Sequence, residues 1–436
     1  MIVRARVVVT MDGPPIENGA VAIFDDRIVD VGRFKEVKAR YRKSIDDSPP
    51  GSSPSRASRL RRAAPAGSVV DLGEEALLPG LINTHCHLDY TCLRGKIGPQ
   101  KSFTDWIRAI NAAKARLSEE DYVASINEGF AEAKRFGTTT IANLTAYPEL
   151  IAKIDEPIRT WWFAELIDIR SPDRANGIVD LAIESLKSKK IWGLAPHALF
   201  TASPNLFHRC EEIARRENIS LTTHLAESRE EMSMFRDGSG PLYEFIKEIG
   251  RPMGDCGHEA PLEKFVGTLT SGPLDARSDR APLPQKWIIA HLNELSESDF
   301  DLVGRSKWKF HIVHCPRSHG YFAHSPFPFE RLRALGFNIC LGTDSLASNE
   351  NLSLFAEMRA FQQNEPNVSP REILEMVTVN AARALNQSRN GGTLGRIRPG
   401  FHADFTSIPC RGLRDVFEEI VAFDQASTIW LDGKRA

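Results

Sequence analysis

Leu78-Pro-Gly-Leu-Ile-Asn-Thr-His-Cys-His87 decides how the rest of the chain is read. An apolar segment with the pattern of a buried strand ends in two histidines one residue apart. Side chains alternate faces along a strand, so His85 and His87 point one way and Cys86 the other. Two imidazoles on one face at a strand end can grip a single metal ion. A lone His-x-His also arises by chance. Its weight depends on whether compatible ligands recur at the ends of later strands.

From residue 76 onward, apolar runs alternate with amphipathic stretches. Eight runs have the character of strands: 76–88, 138–144, 159–166, 191–199, 220–226, 287–292, 310–315 and 337–342. Helical periodicity lies between them, as in 120–136, 177–187, 206–216, 296–303 and 352–361. Strict strand–helix alternation implies a parallel sheet with right-handed crossovers, and eight units suggest an α/β chain closed into a (β/α)8 TIM barrel. Residues 6–10, 20–24 and 27–31 read as short strands broken by turn residues. After a helix over 370–385, segments 391–403 and 420–432 read the same way. The simplest closure joins both termini in a small β-sandwich, giving 1–75 and 389–436 to that domain and 76–388 to the barrel. Two segments lack periodicity. Residues 44–68, rich in Ser, Pro, Asp and Arg, read as a disordered insertion whose deletion the fold should tolerate. Residues 253–284 read as an irregular loop.

The bulk numbers fit this picture. The chain has 436 residues, a net charge of −2 and 42% hydrophobic residues. No global field draws it to nucleic acid or to an anionic membrane, and no apolar run reaches membrane-spanning length. Seven cysteines, odd in number and scattered, do not resemble a disulfide framework. The first residues pattern as a strand rather than a secretory signal, so a cytoplasmic soluble protein is expected.

Active sites of such barrels sit at the C-terminal ends of the strands. The polar residues that finish the runs are His85 and His87, then His197, His224 with Glu227 close behind, His291, His314 and Asp344. Each alone has a bland explanation, such as a hydrogen-bonded core histidine or an aspartate capping the next helix. Recurrence at equivalent positions on successive strands does not. His208, His258 and His402 fall outside the pattern and read as structural or exposed.

Several segments carry a resemblance. They are Leu78–His87, Ala195-Pro-His-Ala198, Thr223-His-Leu-Ala-Glu227, Ala290-His-Leu292, His314-Cys-Pro-Arg-Ser318 and Gly342-Thr-Asp-Ser-Leu-Ala-Ser348. Smaller matches are Leu93-Arg-Gly95, Thr378-Val-Asn-Ala-Ala382 and Gly395-Arg-Ile-Arg-Pro-Gly-Phe-His-Ala-Asp404. In this order they resemble the amidohydrolase superfamily, in its branch of cytosine-deaminase-like, chlorohydrolase and S-adenosylhomocysteine-deaminase-like enzymes. The resemblance implies that His85, His87, His224 and Asp344 hold one divalent ion. Zn²⁺ suits three imidazoles and a carboxylate, and Fe²⁺ or Mn²⁺ would fit the same ligands. Two-metal members bridge their ions with a carbamylated lysine at the end of strand four. This chain has none there, which favours one ion.

By the same resemblance Glu227 shuttles the proton and His291 orients the attacking water, whose pKa such an ion lowers from 15.7 toward about 7. His197, Arg94, Trp106, His314, Ser318 and His319 are the candidate substrate contacts. Ser318-His319 stands where the family usually has Ser-Asn, which puts the pocket floor in doubt. Deamination of an amino-heterocycle is favoured because ammonia leaves only after protonation and Glu227 can supply the proton. An adenosine-like nucleoside of the S-adenosylhomocysteine, methylthioadenosine or aminofutalosine type is the expected substrate. Chloride displacement from a triazine, hydrolysis of another C–N bond and a catalytically dead scaffold are the alternatives. Oligomeric state is not readable from the sequence. Homodimers are frequent in the superfamily, which is an analogy only.

Overall fold

A computed structural model of the chain describes residues 1–43, 68–270, 284–306, 308–385, 393–426 and 428–436. In chain order its strands are β1 (Ile2–Val8), β2 (Ile16–Phe24), β3 (Arg27–Arg33), β4 (Val69–Asp71), β5 (Glu75–Pro79), β6 (Leu81–His87), β7 (Thr138–Thr145), β8 (Arg159–Leu166), β9 (Trp192–Pro196), β10 (Leu221–Leu225), β11 (Trp287–His291), β12 (His311–His314), β13 (Asn338–Leu341), β14 (Asp344–Ser345), β15 (Phe405–Pro409), β16 (Thr428–Leu431) and β17 (Lys434–Arg435). They form two sheets.

The larger sheet is parallel, in the order β13-β12-β11-β10-β9-β8-β7-β6-β14. Strands β13 and β14 are two halves of the eighth barrel strand. The first half pairs with β12; the second, after Gly342 and Thr343, pairs with β6 and closes the barrel. A Cβ at Gly342 would stand 2.8 Å from the carbonyl oxygen of His85, so glycine permits this crossing. The Thr343 N–H then donates to that same carbonyl at 3.1 Å.

The second sheet holds both termini, hydrogen-bonded continuously as β17-β16-β15-β5-β1-β2-β3 with β4 beside β1. It gathers Val3, Val21, Leu77, Phe405 and Trp430 into a core of its own. The long apolar run 76–88 is therefore two strands in two sheets. β5 lies antiparallel to β15, and only β6 enters the barrel. The change comes at Gly80, where a Cβ would meet the Thr139 hydroxyl at 2.0 Å. A boundary at 75/76 thus falls inside the terminal sheet. An apolar run cannot reveal the switch, because both halves are buried.

Other differences are local. The helix Phe34–Lys43 follows β3 and packs Val37 and Tyr41 against Ala20 and Ala22. A helix, Pro261–Thr270, interrupts the expected loop 253–284. The expected helix 370–385 is two, Pro370–Met376 and Val379–Leu385. Residues 393–403 form no strand, and Ile420 belongs to the helix Val416–Ala422. Apart from Ser68, the 44–68 insertion lies outside the described residues, as does the 388/389 junction. Helix starts are set by side-chain caps. Ser118 with Asp121 and Ser296 with Asp299 form reciprocal capping boxes, each cap contributing about 1 kcal/mol.

The terminal sheet docks at the N-terminal rim of the barrel. Arg159, the first residue of β8, lies 3.2 Å from Asp404 and also bonds Asp432 and His402. The docked sheet leaves the C-terminal rim free.

Candidate active site

At that rim β6 delivers His85 and His87, β10 delivers His224, β11 ends in His291, and β14 opens with Asp344. The barrel closure joins residues 259 positions apart into one cluster. His87 Nε2 faces His224 Nε2 at 3.2 Å. Asp344 Oδ1 is 3.7 Å from His85 Nε2 and 3.8 Å from His87 Nε2. His85 is fully buried, and neither of its ring nitrogens has a hydrogen-bond partner. A buried polar atom left unpaired costs about 1–3 kcal/mol, so such a set needs a further partner. The ligand atoms of His85, His87 and His224 lie within 4.8 Å of one another. Three imidazoles and one carboxylate oxygen converging in this way fit a divalent ion.

Neighbours aim these donors. His224 Nδ1–H donates to the His197 carbonyl at 3.0 Å, which turns Nε2 toward the cluster. The Ser318 hydroxyl donates to Asp344 Oδ2 at 2.6 Å, leaving Oδ1 for the histidines. Four backbone positions at these strand ends adopt left-handed conformations: Ala226 (φ 49°), His291 (φ 74°), Leu292 (φ 53°) and Asp344 (φ 56°). Each costs of order 1–3 kcal/mol in a non-glycine residue, a strain that collects at functional sites.

Burial lowers the pKa of His87 well below the usual range, and His85 and His224 beside it add to the effect. The His224 imidazole falls to about 3, from burial first and then from His197 and His85. Burial pushes the Asp344 carboxyl up, but His85, His291 and His87 outweigh it and hold it well below the carboxylate range. Glu227 goes the other way, raised by burial and then by Asp344 and Glu231. Neutral imidazoles and an ionised aspartate are the states in which these groups ligate metals.

Glu227 follows β10 and places Oε1 3.7 Å from His291 Nε2. Its turn is pinned from both sides. The N–H groups of Ala226 and Glu227 donate to Glu231 at 3.1 and 2.8 Å, and Asn293 Nδ2 donates to the Glu227 carbonyl at 3.0 Å. A cavity of about 540 Å³ opens over the cluster.

Of the expected substrate contacts, His197 and Trp106 line this cavity. Arg94, His314, Ser318 and His319 do not. The short turn Leu88–Leu93 carries Arg94 away to pair with Glu132. His314 is buried and stacks flat on Phe327, ring centroids 4.1 Å apart. Ser318 stands behind Asp344, and His319 Nδ1 is 3.2 Å from Asn293 Oδ1. Ser318 and His319 touch the reacting centre only through Asp344 and Asn293. Cys86 faces the helices, in one apolar cluster with Ile126 and Phe130.

One residue the motifs did not mark is Glu165, near the end of β8. Its Oε1 is buried without a hydrogen-bond partner, 3.7 Å from His87 Nδ1 and 4.0 Å from His197 Nε2. The available signal was positional: the run 159–166 finishes in a carboxylate just as its neighbours finish in histidines.

The profile of the amidohydrolase family matches residues 76–434 of this chain. The chain belongs to the amidohydrolase family. A 5-methylthioadenosine/S-adenosylhomocysteine deaminase of Syntrophobacter fumaroxidans is 30% identical over 417 residues, covering 92% of this amidohydrolase and 82% of the relative. Family and relative make the chain a hydrolase of carbon–nitrogen bonds. The fold is shared with two solved structures. Helicobacter pylori aminofutalosine deaminase in complex with methylthio-coformycin superposes with a TM-score of 0.81 at 18% identity, covering 100% of this chain and 99% of the other. An adenosine deaminase from Xanthomonas campestris with bound zinc gives 0.76 at 22% identity, covering 100% and 92%.

Proposed function

We propose that this amidohydrolase is a metal-dependent deaminase of an adenosine-like nucleoside, with His85, His87, His224 and Asp344 holding one divalent ion, Zn²⁺ by preference. The observation that carries the reading is a buried carboxyl, Glu227, fixed beside His291 and Asp344 at the floor of the cavity. The ion, when bound, supplies a Lewis acid that makes water nucleophilic at neutral pH.

The chain's own groups do the rest. Glu227, buried and shifted toward its protonated form, gives that proton to a ring nitrogen. It then takes one from the attacking water and passes it to the departing amine. It recovers its proton from the new hydroxyl as the carbonyl forms and ammonia leaves. His291 Nε2 is buried and makes no hydrogen bond among the described residues, which leaves it available to orient the attacking water and stabilise charge on its oxygen. His197 Nδ1 is held at 2.7 Å by the Thr201 hydroxyl, fixing the ring at the cavity wall. Tyr90, Phe103 and Trp106 give the cavity flat apolar surfaces on which a purine can stack. No helix among the described residues is long and apolar enough to cross a membrane. A cytoplasmic enzyme, homodimeric by analogy, completes the reading.

The test is ammonia release from the zinc-loaded protein across aminopurine nucleosides, aminopyrimidines, aminotriazines and formimino compounds, with chloride release from chlorotriazines in parallel. Ammonia from an adenosine-type nucleoside is the expected result. Chloride release with no nucleoside turnover would overturn it, and less than one equivalent of metal with no turnover at all would point to a scaffold.

A further inference from the structure

A carboxyl that serves a ring nitrogen, a water and a leaving amine in turn must be aimed as well as protonated. The peptide groups of Glu227 are held on both sides. Its N–H donates to Glu231 at 2.8 Å, and its carbonyl accepts from Asn293 Nδ2 at 3.0 Å. Backbone pairing brings the turns after β10 and β11 together. The Leu292 N–H donates to the Leu225 carbonyl, and those of Asn293 and Glu294 donate to the Ala226 carbonyl, all at 2.9 Å. From the β11 side it is the Asn293 side chain that reaches residue 227 itself.

That amide is in turn oriented. A carbonyl oxygen can only accept, so the atom facing Glu227 is the amide nitrogen, and Oδ1 points the other way. There it meets His319, whose Nδ1 lies 3.2 Å off. An amide oxygen also only accepts, so the imidazole carries its proton on Nδ1 and leaves Nε2 bare. Burial lowers the His319 pKa to about 4, which keeps the ring neutral near pH 7. Two neighbouring imidazoles brace it edge-on: His314 at 5.0 Å and 71°, and His324 at 5.6 Å and 66°.

The helix that carries His319 has a second duty of this kind. Pro316–Phe322 follows β12, and Ser318 on the same helix donates to Asp344 Oδ2 at 2.6 Å. Consecutive residues of one short helix thus support Asp344 and the turn that bears Glu227. Neither His319 nor Asn293 lines the cavity, so any influence on substrate runs through the groups they hold.

We propose that His319 is a positioning residue for proton transfer: through the Asn293 amide it fixes the Glu227 peptide and so aims the Glu227 carboxyl. This rests on the deaminase reading, in which Glu227 carries the proton, and names the residue that directs it. Without the imidazole the amide loses the partner that dictates which way it faces. Turned over, it would set Oδ1 against the Glu227 carbonyl, two acceptors in repulsion. Misplacing a reacting group by about 1 Å can cost roughly 10²-fold in rate. A turn still clamped through its backbone moves less, so a loss of about tenfold is expected.

The experiment joins kinetics and NMR on the zinc-loaded protein. In ammonia release from an adenosine-type nucleoside, His319→Leu should lower kcat about tenfold while KM and zinc content hold. His319→Asn puts an amide nitrogen where Nδ1 stood and should recover most of the loss. Asn293→Asp keeps an acceptor for His319 but turns an oxygen toward the Glu227 carbonyl, and should cost at least as much as His319→Leu. In a Glu227→Gln background His319→Leu should cost nothing further, because the group it aims is gone; a merely structural role would cost the same in both backgrounds. Asn293→Ser repeats the comparison should His319→Leu fail to fold. NMR of nitrogen-labelled histidine, with the His319 signal assigned by its loss in His319→Asn, should show the proton on Nδ1. Parental kcat in His319→Leu, an equal loss in the Glu227→Gln background, or a raised KM with kcat unchanged would overturn the proposal. A proton on Nδ1 with no ammonia from any nucleoside would refute the deaminase reading and leave the hydrogen-bonded chain to Glu227 standing. Ammonia release with the proton on Nε2 would do the reverse.

Discussion

The barrel has a histidine–carboxylate cluster at each end, and the two behave oppositely. At the N-terminal rim Asp26, His402 and Asp432 come as close together as His85, His87 and His224 do at the other end. Every member there has a protein partner: Arg159 reaches Asp404, Asp432 and His402, and His402 Nδ1 lies 3.1 Å from Asp432 and 3.6 Å from Asp26. At the C-terminal rim neither ring nitrogen of His85, nor Glu165 Oε1, nor His291 Nε2 makes a hydrogen bond among the described residues, and their nearest opposite groups stand no closer than 3.7 Å. One cluster is closed by a guanidinium and ties two sheets together. The other is left open, held in place by left-handed backbone at the strand ends and by supporting hydrogen bonds. Residue type alone does not separate them; satisfaction does.

The difference can be tested end by end. The largest effect is expected for His224→Ala, which should lose metal retention, read by elemental analysis after dialysis, and with it all turnover. A variant that keeps one equivalent of zinc would show that the open cluster is not the ligand set. Glu227→Gln should keep its metal and lose about 10²–10⁴-fold in kcat, the range for a proton-transfer group. Full activity in that variant would remove the shuttle role.

At the closed end, Arg159→Ala leaves the nearly buried Asp404 without its counter-charge. Breaking such a pair costs about 3–5 kcal/mol, and Arg159 is partly exposed, so a loss near the lower figure is expected in urea unfolding. Zinc content and kcat below the melting point should be unchanged. A smaller effect is expected at the open end from Glu165→Ala. Its carboxylate is the available acceptor for His87 Nδ1–H, and removing such a support lowers metal affinity by about 10–100-fold. Chelator competition reads this without any substrate, and an unchanged affinity would leave Glu165 without a role toward the metal.

The smallest effect concerns acid. Asp432 is depressed to about 2, first by its bond to His402 and also by Arg159. A depressed carboxylate adds stability above its ordinary pKa near 3.8, and this is lost as pH falls toward 2. Asp432→Asn should therefore melt below the parent at pH 6, with the gap closing toward pH 2. The residue is half-exposed, so screening keeps the gap small.

Much of the site was legible because strand ends leave a linear trace. Period-two alternation separates His85 and His87 from Cys86, and strand–helix alternation counts out the eight units that bring His224, His291 and Asp344 to the same rim. Arg94, His314 and Ser318 show where that trace ends. Each sits inside a matched segment, yet a turn, a stacked ring and a hydrogen bond respectively keep it off the cavity wall. Glu165 shows the converse. Its neighbours in space, His87 and His197, are 78 and 32 positions away, and no spacing announces them.

What the sequence determined by itself was the kind of protein: alternating elements, ligand types at strand ends, and a family that those motifs spell out. Such features depend on local periodicity and on the chemistry of single residues. The tertiary structure decided which of those residues share a cavity, and it split the run 76–88 between two sheets at Gly80. It also left one histidine cluster open and closed the other, and left Lys114, Arg170 and Arg174 without an ion pair among the described residues along one wall of the cavity. These depend on barrel closure and on distances between segments far apart in the chain, set by packing rather than by any local pattern.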